Sequence, residues 1–143
     1  MNIEGTSVYV GPNVHAKEPL IRLTIDIKPS YARRLEELGA RVLDQLLAVL
    51  PAWGAAGSHD ADWLADARAA NRFDLGELLA KLALELQRAA GERGNLAWAE
   101  RTDDPDVVEV FYSFDSEDIG LEAGEVACDL LAAIANAEGD AAP

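Results

Sequence analysis

Apolar residues recur along the chain with two different periods. Leu20–Ile27 alternates strictly, with Leu20, Arg22, Thr24 and Asp26 on one side and Ile21, Leu23, Ile25 and Ile27 on the other. The uniformly aliphatic side predicts a strand lying on a helical layer. Ahead of it, Ser7–Val10 reads as a short strand broken by Gly11-Pro12-Asn13. After Pro29-Ser30 the spacing becomes helical. Leu35, Leu38, Val42, Leu46, Val49 and Leu50 recur until Pro51 ends the run, which predicts one helix.

Asp60–Asn71 predicts a short helix with Trp63, Leu64 and Ala67 inward. Asp74 then caps a stronger helix, with Glu77 three residues on, a buried stripe of Leu75, Leu78, Leu79, Leu82 and Leu86, and Gly91 at the C′ position. Strands return at Leu96–Arg101 and Val107–Phe114, joined by the turn-rich Thr102-Asp103-Asp104-Pro105-Asp106. Both sides of Val107–Phe114 are largely apolar, which suits a central strand. Asp115 or Ser116 caps a last helix whose Glu117 and Asp118 suit the helix dipole. Gly120, Gly124, Ala127 and Leu131 line one side of it, small enough for close approach to a sheet. The order ββ-α(αα)-ββ-α predicts an α+β fold, a four-stranded and mostly antiparallel sheet with helices packed on it. One domain is expected over residues 1–135, with a fraying acidic tail over 136–143.

Charge narrows the function. The 143 residues carry a formal net charge of −14. Residues 1–94 hold 13 acids and 11 bases, whereas 95–143 hold 13 acids and Arg101 alone as a base. An acidic field of this kind repels phosphate, so neither nucleic acid nor an anionic membrane is an expected partner. No apolar stretch approaches the ~20 residues that span a bilayer. The start, MNIEGTSVYV, lacks the basic and apolar regions of a secretion signal, and the expected location is cytoplasmic. One cysteine and two histidines make a metal site unexpected.

Catalytic motifs are missing as well. The chain has no phosphate-binding G-x-x-x-x-G-K-[ST] loop, no G-x-G-x-x-G after a strand, no H-E-x-x-H and no G-x-S-x-G. Cys128 sits among apolar neighbours and reads as an inert core thiol. His15 and His59 read as loop residues without an orienting partner. Lys81 and Glu85, four apart, predict a surface ion pair. No catalytic residue and no cofactor are expected.

Four segments carry a family resemblance. Val10-Gly11-Pro12-Asn13 resembles an R-G-P-N stretch, Leu82-Ala83-Leu84-Glu85-Leu86-Gln87 a V-A-L-E-L-Q helix, and Glu100-Arg101-Thr102 a G-R-T segment. Val107–Phe114 with Asp115–Gly124 is similar to a Y-x-V-V-F-E-Y-x-D-E strand and the helix after it. Together, in this order, they resemble the N-terminal domain of cyanophycin synthetase. In that family the ATP-dependent ligase chemistry belongs to downstream ATP-grasp and Mur-ligase-like modules, and the N-terminal domain is an accessory that helps hold the polymer. The resemblance therefore implies a non-catalytic binding domain that docks on, or presents a peptide to, an ATP-grasp or Mur-ligase-like enzyme. The chain departs from the pattern where two helix histidines and a glutamate would stand, with Glu77, Lys81 and Ala80 in their places, and Val10 replaces the arginine of R-G-P-N.

Asn13, Arg22, Lys81, Glu85 and Arg101 are the candidate contacts to a peptide or partner. Arg101 also has a simpler expectation, an ion pair with a nearby carboxylate. A different class of function follows from charge: an acidic interaction protein that captures a basic protein or peptide through its C-terminal half. Homo-oligomerisation is compatible with the apolar strand faces.

Overall fold

Backbone pairing assembles the alternating segments into one sheet. The computed structural model describes residues 1–141, with side chains described to residue 137. In chain order the elements are β1 (Asn2–Tyr9), β2 (Leu20–Asp26), α1 (Pro29–Leu38), α2 (Ala40–Val49), a 3₁₀ turn (Pro51–Gly54), α3 (Ala61–Ala70), α4 (Leu75–Ala89), β3 (Ala97–Arg101), β4 (Val107–Ser113) and α5 (Glu117–Ala141). Among the described residues the sheet has four strands in the order β1-β2-β4-β3, every neighbouring pair antiparallel. This is the expected α+β architecture, with β4 central.

The aliphatic side of β2 does face the helices. Ile21, Leu23 and Ile25 are fully buried with Val108, Val110 and Tyr112 of β4. Leu78, Leu79, Leu82 and Ala83 of α4 pack into the same core, each leucine contributing about 1.5–3 kcal/mol by leaving water. Asp74 caps α4 as its spacing predicted, its Oδ2 accepting the Glu77 N–H at 3.0 Å. The small stripe of α5 seats that helix on the sheet. A Cβ at Gly120 would lie 2.6 Å from Ile21 Cδ1, and one at Gly124 would lie 2.5 Å from Leu23 Cδ1. Tyr112 Oη donates to the Gly120 carbonyl at 2.7 Å, which ties the helix to the central strand.

Three boundaries differ from expectation. The first strand begins at Asn2 rather than Ser7, and its residues alternate between exposed and half-buried. An edge strand held by backbone bonds needs little apolar patterning, so its first half left no trace. The expected helix from Pro29 to Leu50 is two helices, broken at Gly39. There the backbone takes φ 55°, ψ −126°, open in practice to glycine alone. Asn71 seals the break by accepting the Ala40 N–H through Oδ1 at 2.8 Å. Finally, the segment expected as a tail from residue 136 continues α5 to Ala141, and residues 142–143 lie outside those described.

Candidate functional site

The sheet face turned away from the helices carries an ordered row of side chains. Antiparallel register places Ser7 of β1 opposite Arg22 of β2, Arg22 opposite Phe111 of β4, and Phe111 opposite Trp98 of β3. One row thus crosses all four strands. Phe111 and Trp98 stack with ring centroids 4.7 Å apart and planes 4° from parallel. His15 contacts Phe111 at 5.1 Å and meets Tyr9 edge-on at 5.0 Å. The Arg22 guanidinium lies 5.5 Å from the Tyr9 ring centroid. Arg22 also donates to Ser7 Oγ at 3.1 Å and stands 3.9 Å from Glu109 Oε2. Its Nε is buried without a hydrogen-bond partner.

Asn13 builds the loop that brings His15 to this row. Its Nδ2 donates to the carbonyls of Val10 and Glu18, at 3.3 and 3.0 Å. Its Oδ1 accepts the N–H groups of His15 and Ala16, at 2.8 and 2.9 Å. Four bonds from one amide fix the turn, so Asn13 positions the site rather than offering a free contact.

In the next row, Thr24 lies opposite Glu109, and Glu109 opposite Glu100. Like charges directly across a strand pair repel. Trp98 Nε1 donates to Glu100 Oε1 at 3.3 Å, which joins the carboxylate to the aromatic stack. Phe111 is itself only 1% exposed, covered by Trp98 and His15, so the accessible part of the face is Trp98, Tyr9 and Arg22 with the carboxylates of Glu100 and Glu109.

Lys81 and Glu85 belong to a second cluster, on α4. They do not form the expected mutual pair; each is drawn to another partner. Lys81 Nζ lies 3.3 Å from Oδ1 of Asp60, a residue 1% exposed, and 5.3 Å from the Trp63 ring centroid. Glu85 Oε1 lies 4.0 Å from Arg88, which in turn reaches Asp60 Oδ2 at 3.8 Å. Trp53 Nε1 donates to Asp60 Oδ2 at 2.8 Å, and His59 Nδ1 is 3.1 Å from Oδ1. Burial opposes the Asp60 charge, but the Trp53 bond, the Lys81 charge and the His59 bond outweigh it, and the carboxyl is held below its usual range. Burial pushes the Glu85 carboxyl up, only partly countered by Arg88. His59 thus has the orienting carboxylate that its sequence context did not reveal.

Arg101 sits apart from both groups. Its guanidinium is 82% exposed and pairs with Asp74 at 2.9 Å, the simpler expectation. The five candidates therefore fall into three places: Asn13 with Arg22 on the sheet face, Lys81 with Glu85 around Asp60, and Arg101 alone. The residues missed are Tyr9, His15, Trp98 and Phe111. Their signal was cross-strand register, which alternation alone does not contain.

Reactive groups are muted. Cys128 is buried, and burial pushes its thiol up to about 11. Ser58 Oγ donates to the Trp53 carbonyl at 2.6 Å. Among the described residues no cluster of three or more His, Cys, Asp or Glu is placed to hold a metal ion, and no helix is long and apolar enough to cross a membrane. No protein-family model matches this chain, and no curated protein sequence does so either.

Proposed function

We propose that this chain is a non-catalytic binding domain that docks on, or presents a peptide to, an ATP-grasp or Mur-ligase-like peptide ligase. One observation carries the reading. The Val10–Asn13 segment, one of those resembling the accessory domain of cyanophycin synthetase, is the loop through which Asn13 holds His15 against the Arg22–Phe111–Trp98 row. Sequence resemblance and surface geometry thus meet at one place. Trp98 and Tyr9, half-buried beside the covered Phe111, give a peptide aromatic contact at low entropic cost, and Arg22 supplies a charge for orientation. The test is reconstitution: the purified chain is added to a cyanophycin-synthetase-type ligase lacking its own N-terminal domain, and primer-dependent ATP turnover is followed. The reading expects stimulation by the wild-type chain and loss of it with Trp98→Ala. No stimulation, or equal stimulation by the variant, overturns it.

A second reading, capture of a basic partner, is favoured by the Glu100–Glu109 juxtaposition beside the aromatic stack. A bound cation would relieve that repulsion. It expects a lysine-rich peptide to bind at low salt, to weaken several-fold at moderate salt, and to bind less well to Glu100→Gln. Salt-independent binding, or none, overturns it.

A further inference from the structure

On the helical side of the sheet, away from the aromatic row, a cavity of about 350 Å³ opens between α1, the start of α4 and the ends of β3 and β4. That volume is at the lower end of small-ligand sites. Its lining includes the apolar residues Ile27, Leu75, Ala99 and Val108. Gly76 closes one wall by bringing α4 down onto the sheet. A Cβ there would lie 2.7 Å from Val108 Cγ2 and 3.1 Å from Ala99 Cβ.

The charged lining sets four carboxylates, Glu36, Asp74, Glu100 and Asp106, against the guanidiniums of Arg33 and Arg101. Arg33 and Glu36 both line the cavity and stand three apart on α1, which puts a guanidinium and a carboxylate on one helix face. Asp74 and Arg101, which also line it, are already paired with each other at 2.9 Å. The Glu36 carboxyl is pushed up by burial and then by the neighbouring Asp74 charge, with Arg101 and a hydrogen bond from the Leu75 backbone pulling the other way. Glu36 is thus a carboxylate that a bound ammonium group would stabilise.

We infer that this cavity is a binding site for a small zwitterion with a branched aliphatic body, of the α-amino acid class. Arg33 takes the carboxylate, Glu36 takes the ammonium, and the aliphatic part rests against Ile27, Leu75 and Val108. The match lies in having both charges on one helix face above an apolar lining. A ligand with a carboxylate alone sets a second negative group beside Glu36, and one with an ammonium alone makes no use of Arg33.

The test uses three probes of one shape: L-leucine, 4-methylpentanoate, which lacks the ammonium, and isoamylamine, which lacks the carboxylate. Each is titrated into the ¹⁵N-labelled chain, and the amide shifts of Gly76, Ala99 and Val108 are followed. The expected result is saturable L-leucine binding with a Kd of about 1 mM, and both analogues at least about tenfold weaker. Glu36→Gln and Arg33→Ala, both at exposed helical positions, should each weaken L-leucine about tenfold with the rest of the spectrum retained. Absence of saturable shifts up to about 20 mM L-leucine, equal binding of either analogue, or unchanged binding in both variants overturns the inference.

Discussion

Trp53 Nε1 donates a 2.8 Å hydrogen bond to Oδ2 of Asp60, and both residues are at most 1% exposed. This bond joins the 3₁₀ turn to the loop before α3, and Lys81 and Arg88 bring α4 to the same carboxylate. Asp60→Asn would take the carboxylate from Lys81 and leave Arg88 only its 4.0 Å contact with Glu85. The expected cost is about 3 kcal/mol, lowering Tm by roughly 9 °C for a chain of this size. The pH dependence has a definite sign. A carboxylate whose folded pKa is depressed contributes its full stability above the unfolded-chain value and loses it as pH falls through the folded one. Thermal melts of the wild type between about pH 5 and pH 2 should show that loss, and Asp60→Asn should show less of it.

Glu85 predicts the opposite. Its carboxyl is raised by burial, with Arg88 pulling it part-way back and the Asp60 charge adding to the rise. A raised carboxyl favours folding most below the unfolded-chain pKa, and that advantage disappears as pH rises through the folded value. Ionised Glu85 therefore costs stability at neutral pH. Glu85→Gln should raise Tm at pH 7 and leave it nearly unchanged at pH 4. A lower Tm at pH 7 would show that the Arg88 pair outweighs burial.

The break at Gly39 makes a graded prediction. Gly39 and Gly57 both have positive φ, 55° and 85°. A Cβ at Gly39 would lie 2.4 Å from Asn71 Oδ1, whereas at Gly57 it would meet nothing within 4 Å. Gly57→Ala should cost about 1 kcal/mol, from the left-handed backbone alone. Gly39→Ala should cost about 3 kcal/mol or more, because strain and overpacking add. Chemical denaturation of the two variants checks the ranking.

Cys128 offers a clean reporter. Its thiol is 5% exposed and pushed up to about 11 by burial, so it should resist a disulfide reagent at pH 8 in the folded chain. Labelling should appear only as denaturant unfolds the chain, with the same midpoint as circular dichroism. Rapid labelling without denaturant would mean that α5 lifts from the sheet in the native state.

The parts of the fold that were legible are those where one local pattern and the tertiary packing agree. The α4 cap, the leucine stripe and the alternation of β2 each follow from a few neighbouring residues. Gly39 was not legible, because the apolar spacing of Leu35–Leu50 continues through the break in phase with a single helix. The break comes at the left-handed Gly39 backbone, and the amide it frees at Ala40 is satisfied by Asn71, thirty-one residues further on. The candidate site was legible only at Asn13 and Arg22. Phe111 and Trp98 become neighbours through the β3–β4 register, and Lys81 found Asp60 from another loop instead of Glu85 on its own helix.

The strand order has a consequence for how the molecule is put together. The outer pairs, β1 with β2 and β3 with β4, join segments close in sequence. The middle pair sets Leu20 against Ser113, closing a loop of about ninety residues. The centre of the sheet is therefore the seam between two hairpins made far apart along the chain. Until α1 to α4 have drawn the hairpins together, each has a bare edge, and those edges are where one copy of the chain would take a strand from another.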